Sequence, residues 1–287
     1  QFDIPVSYSL GAELSFGPMG KFDASAKYFV YECDEFDRNF LQFQPFIAAI
    51  TNIDYDHPDT YKTENDYVQA FGQFARQSQR VIAAQPTQKK LGLQPANGYQ
   101  KSLESLIQLP GLHNRQNAAL AISVMRQLSD ATDQQLIDCI QNFPGSARRF
   151  EKLADSLYSD YAHHPVEIAA TLQLVSELTD NIVVVYQPHQ NIRQQLIKDD
   201  YKKCFKKAKK IYWLPTFLSR EDESIAILSA QQLSSGIDQK KIVFSKLNQD
   251  LWRAICKQRA NNNVVVAMGA GSIDNWVRRQ LQAETSV

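Results

Sequence analysis

Four short apolar runs in the second half of the chain are separated from one another by stretches patterned as helix: Ile182–Tyr186, Lys210–Leu214, Ile242–Phe244 and Val264–Met268. Helices are expected from about Pro165, Asp199, Asn248 and Ile273. Strands that must cross a helix before pairing again cannot form tight hairpins. The alternation therefore predicts a mostly parallel sheet covered on both faces. The first half shows the same habit more weakly. Tyr28–Tyr31 and Phe46–Ile50 predict buried strands, being short, apolar and closed by polar residues. Asn114–Leu128 predicts a helix that buries Ala121, Val124, Met125 and Leu128. Thr132–Asn142 predicts a second helix, stopped by Phe143-Pro144-Gly145. The expected class is α/β throughout, in two domains covering 1–145 and 146–287.

Bulk composition removes several function classes. Lys plus Arg and Asp plus Glu balance at 31 each, so no net charge draws the chain to nucleic acid or an anionic membrane. Lys198–Lys210 holds seven lysines, but Tyr201, Phe205 and Ala208 keep a helical apolar spacing, which reads as a solvated helix face. The four cysteines stand far apart without a Cys-x-x-Cys pair, the pattern of reduced cytoplasmic thiols rather than structural zinc or disulfides. No apolar run reaches the roughly 18 residues of a membrane span.

All five histidines fall in four short polar motifs beside apolar runs. Glu32-Cys33-Asp34-Glu35 follows one expected strand, and Asn52-Ile53-Asp54-Tyr55-Asp56-His57 follows the next. If those strands are parallel neighbours, Glu32 and His57 converge at their carboxyl ends and could hold a hard cation such as Mg²⁺. Two polar loops capping the following helices explain the same residues equally well. His113, Asn114 and Asn117 open a helix, where Asn114 can act as the cap and side-chain amides suit an adenine edge. Arg148-Arg149 lie at the domain junction, where adjacent arginines suit a phosphate, and a structural salt bridge for one of them explains the motif equally well. Asp160-Tyr161-Ala162-His163-His164-Pro165 and Gln187-Pro188-His189-Gln190-Asn191-Ile192-Arg193 each follow an apolar strand. Gly269-Ala270-Gly271 between a strand and a helix reads first as close packing, since a lone Gly-x-Gly is weak evidence for a nucleotide.

The order of these motifs is more specific than any one of them. Glu-x-Asp-Glu, Thr-Asn-x-x-x-Asp-His, Gly-x-His-Asn-x-x-Asn, Arg-Arg-Phe, Asp-Tyr-x-His-His-Pro, Gln-Pro-His and Met-Gly-Ala-Gly succeed one another from about Tyr8 to Leu281. This series resembles the Mur ligases of peptidoglycan synthesis, and within them the branch that adds L-alanine. The resemblance implies an incomplete P-loop-type ATP-binding domain followed by a Rossmann-like C-terminal domain. It implies an ATP-dependent amide ligase that joins L-alanine to UDP-N-acetylmuramate through an acyl phosphate, with Mg²⁺ as cofactor, in the cytoplasm. Carried over by position, Glu32 and His57 match the metal ligands, and His113, Asn114 and Asn117 the adenine side. Arg149 matches an arginine on the ATP phosphates and Asp160 a residue near the ribose. His164, His189 and Arg193 match the amino-acid and acyl-phosphate end, and His163 has no assigned role.

Two departures stand out. Gln190 occupies the place of a family arginine, which removes a cation from the presumed anion clamp. No Gly-x-x-Gly-Lys-Thr phosphate loop occurs, since Gly20-Lys21 is followed by Phe22. In the family that loop precedes the Glu-x-Asp-Glu strand. The expectation is a UDP-binding domain and a phosphate loop upstream of Gln1, and a piece inactive alone. A muropeptide-recycling ligase using the same UDP-sugar and a non-catalytic nucleotide-binding scaffold are the other readings.

Overall fold

The computed structural model describes residues 2, 4–14, 17–93, 98–219, 221 and 224–285. They form two compact units, Gln1–Pro144 and Gly145–Val287.

In the first unit, strand β1 (Val6–Ser9) pairs antiparallel with β2 (Gly20–Lys21) and parallel with β3 (Tyr28–Tyr31). Gly20-Lys21 thus lies in a strand, not on a loop opening a helix. A second, two-stranded parallel sheet joins β4 (Ile47–Ile50) to β5 (Arg80–Ala83). Between them in sequence runs α1 (Glu64–Gln77), started by Thr63, whose hydroxyl accepts from the Asp66 N–H at 3.1 Å. Its buried face, Tyr67, Ala70, Phe71 and Phe74, packs with Phe40, Ile50 and Ala83. Helix α2 (Gln85–Leu91) follows β5, and α3 (Leu112–Met125) and α4 (Asp133–Gln141) complete the unit. A reciprocal capping box between Thr132 and Gln135 fixes the start of α4.

Three expectations for this unit need correction. β3 is not buried: Phe29 is 62% and Val30 51% exposed. β3 and β4 belong to different sheets, so their carboxyl ends are not joined by pairing as neighbouring strands would be. The buried side of α3 is Ala118, Ala119 and Ile122 against Leu103, Ile107, Leu136 and Ile137, whereas Ala121 faces solvent. Four alanine and serine residues between 118 and 123 blur the apolar period that would have set the face.

The second unit is a six-stranded sheet of order β10-β9-β8-β11-β7-β6. Its strands are β6 (Glu151–Ala154), β7 (Leu157–Asp160), β8 (Ile182–Tyr186), β9 (Lys210–Trp213), β10 (Ile242–Phe244) and β11 (Val264–Met268). Only the edge strand β6 runs antiparallel. The connections carry α5 (Pro165–Ser176), α6 (Asn191–Ile197), α7 (Tyr201–Cys204), α8 (Ala230–Ser234) and α9 (Gln249–Ala260), and α10 (Ile273–Thr285) follows β11. All five residues of β8 are buried. Ile182, Val184 and Tyr186 join Ile168, Leu172, Phe205 and Trp213 on one face, while Val183 and Val185 join Leu251, Ile255 and Val277 on the other. Each such aliphatic side chain contributes about 1.5–3 kcal/mol by leaving water. The parallel sheet expected from the four apolar runs is present. Because β11 inserts between β7 and β8, the carboxyl ends of these three strands border a topological switch point, where α/β proteins place ligands.

Candidate functional site

Asp160, the last residue of β7, is buried, and internal bonds occupy both carboxylate oxygens. Oδ2 accepts from the Phe150 N–H at 2.9 Å, and Oδ1 accepts from the Ala162 N–H at 2.9 Å and the Thr171 hydroxyl at 3.1 Å. Burial pushes its carboxyl above the ordinary range, against those hydrogen bonds and the charge of Arg149. In this structure Asp160 fastens the Arg148–Phe150 turn, where Arg148 and Phe150 have φ of +58° and +49°. The two arginines differ in their partners. Arg148 donates to the Gly269 carbonyl at 2.8 Å and lies 3.8 Å from Asp274, while the exposed Arg149 guanidinium lies over the Tyr161 ring at 5.5 Å. Arg149 is therefore the one offered to solvent.

The two adjacent histidines also have different partners. His164 is the N-cap of α5, with its ring Nδ1 accepting from the Val166 N–H at 3.4 Å and Pro165 next in the first turn. His163 Nδ1 lies 3.2 Å from Glu167 Oε2. Burial opposes ionisation of Glu167, but His163 and the N–H groups of His163 and His164 outweigh it and hold the carboxyl below its ordinary range. The His163 ring meets His189 edge-on at 5.9 Å, and His189 stacks on Phe217 at 5.7 Å. Burial, then His163 and Arg193, lowers the His189 pKa to about 4, so its imidazole is neutral at pH 7. Its Nδ1 is buried with no hydrogen-bond partner among the described residues. Arg193, buried on the first turn of α6, is close enough to contribute to that shift.

The glycine-rich turn after β11 closes this end of the sheet. Gly269 has a φ of +146°, and a Cβ there would stand 2.6 Å from the Gln187 carbonyl oxygen. A Cβ on Gly271 would stand 2.6 Å from Gln187 Oε1 and 2.7 Å from Phe217. Gln187 Oε1 accepts from the Ile273 N–H at 3.0 Å, tying the Gln-Pro-His loop to α10. Close packing accounts for these glycines. Among the candidates of this unit, the structure gathers His163, His189, Arg193 and Glu167 around one another. His164 serves the helix start beside them. Glu167 is the member that motif reading passed over, and His163 the one it left without a role; the signal available was Glu167 three residues after the cap.

In the first unit Glu32 and His57 each have a partner of their own. Glu32 Oε2 accepts from the Gly11 N–H at 2.7 Å. The carboxylate beside His57 is Glu35, with Oε1 3.7 Å from Nε2, and Glu35 also accepts from the Tyr67 hydroxyl at 2.9 Å. Burial, with Glu35 beside it, pushes the Tyr67 phenol far above its usual range. His57 holds a φ of +54°, a conformation that costs a non-glycine residue roughly 1 kcal/mol and that clusters at functional sites. Among the described residues, no three His, Cys, Asp or Glu side chains form a cation site. The cap of α3 is Gly111, not Asn114, whose amide donates to the Pro110 carbonyl at 2.9 Å. Asn114 and the exposed Asn117 are three residues apart in the first turns of α3, next to His113.

Comparison with known proteins covers most of the chain. Residues 9–91 match the Mur ligase middle domain, and 148–271 match the Mur ligase glutamate ligase domain. UDP-N-acetylmuramate–L-alanine ligase of Limosilactobacillus reuteri is 30% identical, over 95% of this chain and 68% of that protein. The ligase of the same name from Lactobacillus gasseri is 29% identical over the same shares. Among solved structures, UDP-N-acetylmuramate–alanine ligase of Thermotoga maritima superposes with a TM-score of 0.73 at 22% identity, covering 98% of this chain and 69% of that one. A murein peptide ligase from Psychrobacter arcticus gives 0.61 at 19% identity, with 98% and 72% covered. Motif order, fold and relatives agree that the chain belongs to the Mur ligase family of ATP-dependent amide ligases.

Proposed function

We propose that this chain carries the ATP-handling and amino-acid-handling parts of a cytoplasmic ligase that joins L-alanine to UDP-N-acetylmuramate. The observation that carries this reading is the match along 95% of the chain to ligases of that name. In the proposed reaction the muramate carboxylate attacks the γ-phosphate of ATP, breaking the bond to ADP and giving an acyl phosphate. The L-alanine amine then attacks the acyl carbon, phosphate leaves, and the amine proton is lost to base. No protein nucleophile enters, so positioning and charge neutralisation are the chain's contributions.

Residues 1–145 would hold ATP, with His113, Asn114 and Asn117 on the adenine side, and residues 146–287 would hold the amino acid. Exposed Arg149 suits an anionic oxygen. Asp160, which the resemblance sets near the ribose, also serves that arginine by fixing its turn. His163, His189 and Arg193 offer one neutral imidazole, one imidazole paired with Glu167 and one guanidinium to the amino-acid end. His164 caps the helix next to them. Mg²⁺ is implied by the family; the carboxylate of Glu32 and the imidazole of His57 are the residues the resemblance assigns to it, and bound there it would neutralise phosphate charge.

The test is product formation by mass spectrometry with ATP, UDP-N-acetylmuramate and either L-alanine or a tripeptide. Transfer of L-alanine is expected from the complete enzyme containing this chain, and preferential transfer of the tripeptide would instead establish the recycling ligase. Without a phosphate-loop lysine, the 287 residues alone should turn over poorly. Full ligase rates from them alone would overturn that expectation.

A further inference from the structure

Beneath the two histidine loops runs a chain of hydrogen bonds that the proposed reaction leaves without a task. Tyr186, ending β8, donates to the main-chain oxygen of His163 at 3.0 Å. Its hydroxyl lies 2.7 Å from that of Tyr201, which opens α7. Tyr201 donates to Gln194 Oε1 at 2.5 Å, and Gln194 Nε2 donates to the main-chain oxygen of His189 at 2.9 Å. Tyr186, Tyr201 and Gln194 are each 0% exposed. Three buried side chains from β8, α6 and α7 therefore tie together two loops that follow different strands.

Counting protons sharpens this. The His189 carbonyl only accepts, so the Gln194 amide must turn an N–H toward it and its oxygen toward Tyr201. The His163 carbonyl also only accepts. Three oxygen–oxygen contacts then separate the His163 carbonyl from the Gln194 amide, and only two hydroxyl protons are available to fill them. Whichever way the hydroxyls turn, one contact lacks its proton. A stronger hold on one end weakens the hold elsewhere in the chain. Burial, with Tyr201 adding, raises the Tyr186 phenol well above its ordinary range, so the shortage is not relieved or deepened by ionisation near neutrality.

We propose that Tyr186, Tyr201 and Gln194 are positioning residues for the amide-forming reaction: they set the spacing of His163 and His189 and transmit to each loop what happens at the other. This rests on the amino-acid reading of the histidine cluster given above. The rings of Tyr186 and Tyr201 also pack edge-on to Trp213 at 5.1 and 5.3 Å. Phenylalanine would keep that packing and remove only the hydroxyl, which separates the network from ordinary core filling.

The experiment uses the full chain with isotope-labelled histidine and compares Tyr186→Phe, Tyr201→Phe, Gln194→Met and a control, Tyr212→Phe. Tyr212 has a hydroxyl that accepts from Gln258 at 3.2 Å, and its side chain packs in the cluster on the opposite face of the sheet. Ring signals of His163 and His189 are followed by NMR through a pH titration, and L-alanine is then titrated in. The charged and titratable groups acting on His189 are His163, Arg193, Glu221 and Arg148, and none of them is changed. Each of the first three variants should displace both ring signals, move the His189 titration from about 4 toward neutrality, and weaken L-alanine binding by roughly 2–10-fold, the worth of one hydrogen bond. Tyr212→Phe should do none of this. The proposal is overturned if the three variants melt earlier yet leave both rings and the His189 titration as in the wild type. Should the rings move while L-alanine binding stays unchanged, the network stands and the amino-acid reading of the cluster falls.

Discussion

Neighbouring residues of the same type can do different work, and His163 and His164 show how. A residue that caps a helix and the one before it differ only in which way the backbone turns. Here the turn gives His164 the α5 N–H groups and gives His163 the Glu167 carboxylate and the His189 ring. Asp160 shows the same dependence on backbone geometry. Asp160→Asn replaces one acceptor with a donor facing the Phe150 N–H or the Ala162 N–H, so it should cost about 1–3 kcal/mol, read as a lower urea midpoint at unchanged slope. His189 makes the pH prediction. Its pKa is about 4 in the fold against about 6.5 unfolded, so between those values the unfolded chain binds a proton that the folded chain does not. Stability contributed by the neutral ring is complete above pH 6.5 and is lost as pH falls toward 4. The half-buried ring reduces this to about 1–2 kcal/mol. Comparing wild type with His189→Gln by urea unfolding at pH 7.5 and 4.5 should show the smaller acid loss in the variant; equal losses would exclude His189 as the source.

At the scale of elements, legibility followed burial on both faces. β8, β9 and β11 were readable because a strand buried between two helical layers is an unbroken apolar run, whereas β10 was read from its apolar run although it is an exposed edge strand. β1, β2 and β5 are short and mix polar with apolar residues, so no period announces them. The site was legible as motifs but not as contacts. Glu35 stands beside His57, because four residues after a strand the local turn decides which way a carboxylate faces. Two predictions belong here. Gly271→Ala and Gly269→Ala should each destabilise the second unit by roughly 1–3 kcal/mol in thermal unfolding, since the new methyl meets Gln187 and, at Gly271, Phe217. Phe29 and Tyr31 stack at 6.0 Å on an exposed strand, and Phe43 lies 4.9 Å from Tyr31. Phe29→Lys should lower binding of a hydrophobic dye and self-association in sedimentation, with stability within about 0.5 kcal/mol of wild type. Unchanged dye binding would show that this patch is not what the dye reports.

For the whole molecule, the chain divides at Pro144, next to exposed Phe143 and Asn142. Brief proteolysis should cut between about residues 141 and 146 and leave two resistant fragments, identified by mass; cleavage first inside either unit would contradict the division. The second unit has a particular strand order, with β11 lying between β7 and β8 although all five other strands precede it in the chain. A ribosome delivers strands in chain order. While residues up to about 260 have emerged, β7 and β8 have no partner between them, and their apolar edges stay open. The sheet closes only when Val264–Met268 arrives, so the histidine loops are built late in synthesis, and the nascent unit depends on reaching that strand before its open edges find another chain.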